Sequence, residues 1–219
     1  MSRERYLRQL EGLREDLLRL GSMVEQALMK AMRCLETWDS VGAAQIIRED
    51  HEIDNAWHAV EEKTLRLMAT QQPTAGDLRL IMVAVAIAGE LERIGDYANT
   101  IARRVRRAVA RPVIITPPSR MRDLGNKAIM MLHLSLDAFL TQDVAKAHSL
   151  TAIDEEVDEL ENLLRAELIA MGKSDPQTIE AVIEMVEVLR ALERAADRST
   201  NIGERVIYLA TSTVEELNP

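Results

Sequence analysis

Aromatic side chains are nearly missing from this sequence: they make up 3% of its 219 residues, although 47% of the chain is hydrophobic. Any core must therefore be built from Leu, Val, Ile, Ala and Met, a palette that suits helices. Turn residues are scarce too. With 9 Gly and 6 Pro in the whole chain there are too few hairpin turns for an all-β fold. Cys34 has no second cysteine to pair with, so no intrachain disulfide forms and nothing points to an oxidising compartment. Positive charge is in deficit: Lys+Arg 27 against Asp+Glu 36 gives a formal net charge of −9. That balance argues against a general affinity for nucleic acid, whose phosphates call for an excess of Lys and Arg. Long apolar runs are lacking as well. The longest, residues 81–88, is bracketed by Arg79 and Glu90 and falls far short of the roughly 20 residues a membrane span requires. The start, Met1-Ser2-Arg3-Glu4-Arg5, has no secretory apolar stretch. These absences together describe a soluble, cytoplasmic protein.

What the chain does have, it has twice. Leu91-Glu92-Arg93-Ile94-Gly95-Asp96 returns as Leu192-Glu193-Arg194-Ala195-Ala196-Asp197, and Asp50-His51-Glu52-Ile53-Asp54 returns as Asp154-Glu155-Glu156-Val157-Asp158. An internal repeat of this length implies two similar halves. Each half carries two acid pairs spaced i, i+4: Asp50/Asp54 with Glu92/Asp96, and Asp154/Asp158 with Glu193/Asp197. On a helix such pairs share a face about 5–6 Å apart, where like charges repel.

Periodicity places these acids on helices. Leu10, Leu13, Leu17, Leu20, Val24, Ala27, Ala31 and Cys34 alternate spacings of three and four, the seam of a helix in a left-handed bundle. Trp38-Asp39-Ser40 reads as a turn in which Asp39 or Ser40 caps a second helix. That helix is expected to reach about residue 69, with Ile46, Ile47, Ile53, Trp57, Val60, Leu65 and Met68 in helical rhythm, before Gln71-Gln72-Pro73 stops it. Thr74 and Asp77 fit a capping box for a third helix over residues 75 to about 109. Its first half is apolar nearly all round, as in a helix central to a bundle. Residues 111–119, with Pro112, Pro117 and Pro118, form the linker.

The plan then repeats. A helix over about 120–141 is followed by one capped by Asp143 and ended by Gly172, then by one opened by Asp175-Pro176 and continuing to about 211. The tail from Val214 reads as frayed. The fold class is all-α: two tandem three-helix bundles, residues 1–110 and 120–212 joined by 111–119. A continuous six-helix bundle is the alternative.

In an up-down-up bundle, Asp54 and Glu92 both lie about 18 residues from the turn at 71–74, hence roughly 27 Å from it at about 1.5 Å per residue. Asp158 and Glu193 are placed alike about their own turn. Four carboxylates per half thus meet at one level. A hard cation with oxygen ligands would relieve their repulsion, and bridging carboxylates can hold more than one ion. A thiolate zinc site is excluded, because no Cys or His recurs at equivalent positions. His51 and His58 face Glu155 and Asn162 in the other half and read as surface histidines. The bland alternative for the acids is a solvated stripe paired with Arg93 and Arg194. For Arg103-Arg104-Val105-Arg106-Arg107 it is a charged helix end suited to the helix dipole, with partner docking as the other reading. Catalysis gains no support, since there is no Ser-His-Asp spacing and no glycine-rich phosphate loop.

Gln72-Pro73-Thr74-Ala75-Gly76-Asp77-Leu78-Arg79, the Glu90-to-Asp96 stretch, Met23-Val24-Glu25-Gln26 and Asn201-Ile202 together resemble the PhoU family of phosphate-transport accessory proteins. The resemblance covers almost the whole chain. It implies two three-helix bundles and a homodimer. It also implies a cytoplasmic, non-enzymatic negative regulator linking a phosphate ABC transporter ATPase to a phosphate-sensing histidine kinase, touching the membrane only through those partners. Several members hold metal clusters on acid-xxx-acid motifs, which would carry over to Asp50, Asp54, Glu92, Asp96, Asp154, Asp158, Glu193 and Asp197, with iron, zinc, manganese or magnesium as the ion. Ala195-Ala196 departs from the family's usual apolar-Gly pair. A metal-buffering helical protein and a metal-free structural adaptor are the competing readings.

Overall fold

The apolar seams produce six long helices in the computed structural model, which describes residues 3–218. In order these are α1 (Arg3–Thr37), α2 (Ser40–Gln71), α3 (Ala75–Val109), α4 (Ser119–Thr141), α5 (Val144–Ser174) and α6 (Ile179–Thr211), with a 3-10 turn at Pro176–Thr178 before α6. No strand occurs among the described residues. The first three helices pack on one another, as do the last three, so each half is a three-helix bundle.

The turns follow the capping chemistry. Asp39 accepts hydrogen bonds from the Val41 and Gly42 amides at 3.0 and 2.9 Å, and Asp143 accepts from the Lys146 amide at 3.1 Å. Asp175 accepts from the Gln177 amide at 3.0 Å beside Pro176, opening the 3-10 turn rather than α6 directly. Gln72 takes a left-handed conformation (φ 45°) between α2 and Pro73. Thr74 stands at the N-cap of α3, but its hydroxyl donates to the Asp77 carboxylate at 3.1 Å instead of capping a backbone amide.

Some expectations need correcting. The α1 seam continues through Leu28 rather than Ala27, and on α2 the buried position is Leu67 while Leu65 is 62% exposed. A strict three–four alternation drifts against 3.6 residues per turn, and the core follows the true period. Gly172 does not end α5. It is buried inside the last turn, where Ile179 and Val182 lie against it, and Asp175 is the C-cap. The tail is not frayed through residue 218: Leu217 is 7% exposed and its amide donates to the Glu204 carboxylate at 2.9 Å.

One apolar core runs through both halves. The most extensive helix pairing in the molecule is α3 against α6, and α1 also meets α4. This explains the all-round apolar first half of α3, which packs on α1, α2 and α6. Ion pairs set the α3–α6 register. Arg198 on α6 reaches Glu90 at 3.4 Å. Arg104 reaches Glu184 and Glu187 at 3.3 and 3.2 Å, and Arg111 reaches Glu184 at 2.8 Å and also pairs with Glu180. The two helices are therefore antiparallel. The basic segment at 103–107 is a helix end, as its composition suggests, and its Arg104 also latches one half to the other.

Candidate metal centre

The antiparallel register brings residues 92–96 of α3 and 193–197 of α6 to the same level of the molecule. At that level each half gathers its own four acids. Asp50 and Asp54 on α2 lie within electrostatic reach of Glu92 and Asp96 on α3. Asp154 and Asp158 on α5 are gathered likewise with Glu193 and Asp197 on α6. All eight predicted site residues thus fall into two clusters of four, one per half.

The clusters are electrostatically uncomfortable. Loss of water around the carboxylate, followed by repulsion from neighbouring acids, pushes up the pKa of Glu92 (Asp96, Asp54), Asp96 (Asp54), Glu193 (Asp197) and Asp197 (Asp158). Asp50 is raised mainly by desolvation, with a hydrogen bond from Asn99 working the other way. The largest effect is at Asp154. Its residue is 4% exposed, and burial, reinforced by Asp197 and Asp158, pushes it up to about 6. A buried carboxylate shifted by desolvation and by neighbouring acids is a candidate functional position.

Two asparagines absent from the sequence reasoning complete the picture. Asn99, 5% exposed, donates to Asp50 Oδ2 and accepts from Arg103 Nε at 3.0 Å. Asn218, in the tail, donates to Asp154 Oδ2 at 2.8 Å. Asn99 was detectable in principle, because it lies three residues beyond Asp96 on the same helical face. Asn218 carried no signal, since nothing in a polar tail says where it docks. His51 and His58 are exposed and stand outside both clusters, with His58 stacked on Trp57.

The donor set fits a hard or borderline cation, because every candidate ligand is a carboxylate oxygen. One atom points the same way: Asp154 Oδ1 is buried with no hydrogen-bond partner, and an acceptor left so is costly unless something positive meets it. As placed, no three Asp, Glu, His or Cys side chains among the described residues stand close enough to hold a metal ion. Unneutralised carboxylates repel one another, and gathering them takes rotations about side-chain bonds that are fast for partly exposed residues.

Comparison with known proteins finds the same doubled domain layout. The PhoU domain pattern matches twice, at residues 17–105 and 121–206. The chain belongs to the PhoU family. Among its PhoU relatives, the phosphate-specific transport system accessory protein PhoU homolog of Clostridium acetobutylicum is 36% identical over 221 residues, covering 100% of both proteins. The phosphate-specific transport system accessory protein PhoU of Escherichia coli is 35% identical over 204 residues, 91% of this chain and 83% of that protein. The crystal structure of PhoU from Pseudomonas aeruginosa superposes with a TM-score of 0.90 at 34% identity, covering 95% of this chain and 100% of that one. The phosphate transport system regulatory protein PhoU from Streptococcus pneumoniae gives a TM-score of 0.89 at 29% identity, covering 96% and 99%. A PhoU fold is thus shown by both sequence and shape.

Proposed function

We propose that this chain is a cytoplasmic, non-enzymatic negative regulator of phosphate uptake and phosphate-starvation signalling, working as a homodimer. It acts by contact with the ATPase of a phosphate ABC transporter and with a phosphate-sensing histidine kinase. Cations held by the two carboxylate clusters tie α2 to α3 in the first half and α5 to α6 in the second. The observation that carries the reading is the conjunction of family and site: relatives named for phosphate transport share this fold, and each half gathers four acids between its second and third helices. Among the described residues no helix is long and apolar enough to cross a membrane, which suits a protein that reaches the membrane through partners. When bound, the cation supplies positive charge that neutralises clustered carboxylates. The chain supplies the oxygens, and the α3–α6 packing holds them at one level.

Deleting the gene is expected to leave phosphate-starvation transcription active in high phosphate, and restoring the wild-type chain should repress it. Transcription that stays repressed without the gene would overturn the regulatory reading.

A further inference from the structure

The repeat is imperfect at one informative place. Asn99 on α3 holds Asp50 in the first cluster, but the residue at the same distance after the second motif is Thr200, whose hydroxyl donates to the Ala196 carbonyl at 3.4 Å. The helix therefore offers Asp154, the counterpart of Asp50, the Thr200 hydroxyl, whose hydrogen bond favours the ionised acid, but no amide. The tail supplies one instead. After Ser212 turns the chain with φ 65°, residues 213–218 fold back along α6. Leu217 then packs beside Gly203, where an added Cβ would stand 3.2 Å from Leu217 Cδ1. The Leu217 amide donates to Glu204 at 2.9 Å, Glu215 approaches His148 at 3.6 Å, and Asn218 donates to Asp154 Oδ2 at 2.8 Å. In both halves an asparagine amide thus engages one oxygen of the acid that opens the α2 or α5 pair. In the second half the other oxygen, Asp154 Oδ1, is left buried and without a partner.

We propose that Asn218 is a positioning residue for the second cation site: by fixing one oxygen of Asp154 it presents the other to a divalent cation shared with Asp158, Glu193 and Asp197, as Asn99 does for Asp50 in the first. This inference rests on the cation-binding reading of the clusters. Hydrogen-bonding partners behind a ligating carboxylate commonly change metal affinity 10–100-fold when removed. The two sites then differ in kind. The first is completed by a helix, with Arg103 behind the amide, whereas the second is completed by the segment that follows α6. Coupling of this sort is reciprocal, so a cation at the second site must also tighten the tail.

The test uses Mn2+ alone, titrated by equilibrium dialysis into two backgrounds of the full chain. Asp54→Asn/Asp96→Asn disables the first cluster, and Asp158→Asn/Asp197→Asn disables the second. Adding Asn218→Ala should weaken Mn2+ binding 10–100-fold in the first background and leave it unchanged in the second. Leu217→Ala, which loosens the anchor, should act in the same direction. Hydrogen exchange at the Leu217 amide in the wild-type chain should slow when Mn2+ is added. Equal affinity with and without Asn218 overturns the proposal. So does tighter binding or faster exchange with Mn2+, because either would make the tail a plug. If neither background binds Mn2+, the cation reading fails and takes this inference with it, an outcome recognisable because the first cluster is silent too.

Discussion

Replacing Asp154 with Asn should make the metal-free protein more stable, although the residue belongs to the proposed site. Its folded pKa of about 6 lies above the ordinary 3.8, so the native state prefers the protonated acid. The sign follows directly: stability associated with this group is complete below about pH 4 and is lost as the pH rises through about 6. A rise from 3.8 to about 6 corresponds to about 3 kcal/mol at neutral pH. Asparagine keeps the shape and removes the charge, but it weakens the charge-assisted hydrogen bond from Asn218, which offsets about 1 kcal/mol. The expected net gain is about 2 kcal/mol at pH 7.5 in EDTA, and close to none at pH 4, where the wild-type acid is already neutral. Urea denaturation followed by far-UV circular dichroism at both pH values measures it. A variant that is destabilised at pH 7.5, or that gains equally at both pH values, would refute the electrostatic argument.

The joint between the halves gives a second expectation. Glu184 is 2% exposed and neutralises both Arg104 and Arg111. Glu184→Gln should therefore cost somewhat less than the roughly 3–5 kcal/mol of a fully buried broken pair, since both arginines are partly exposed; thermal denaturation showing no loss would contradict the latch. Asp39→Ala removes the acceptor for two orphan amides at the start of α2 and should cost about 0.5–2 kcal/mol in a chemical-denaturation experiment, whereas a neutral result would assign those amides to water.

Much of this fold was legible because it is helical, repeated and poor in turns. Leu13, Leu17, Leu20 and Val24 announced α1, and Asp39 and Asp143 announced the starts of α2 and α5 at the same place in each half. The eight acids were legible because an i, i+4 pair of like charges on a helix needs a reason, and because equal distances from the turn put two such pairs side by side. Sequence spacing could not show which oxygens are held by neutral donors. Asn99 was overshadowed by the charged motif beside it, and Asn218 sits in a tail whose position depends on Leu217 finding the space at Gly203. Gly172 misled because a glycine near a helix end ordinarily signals a cap, whereas here it is buried inside the last turn and α5 runs on to Ser174. The docking of the halves was open for a similar reason: the ion pairs joining α3 to α6 link residues far apart in the chain.

Anomalous scattering from crystals grown with Mn2+ tests the central claim most directly. Ions should appear at both levels of carboxylate, one cluster bounded by Asp50, Asp54, Glu92 and Asp96 and the other by Asp154, Asp158, Glu193 and Asp197. Ordered carboxylates with no anomalous peak in either cluster at saturating Mn2+ would contradict it.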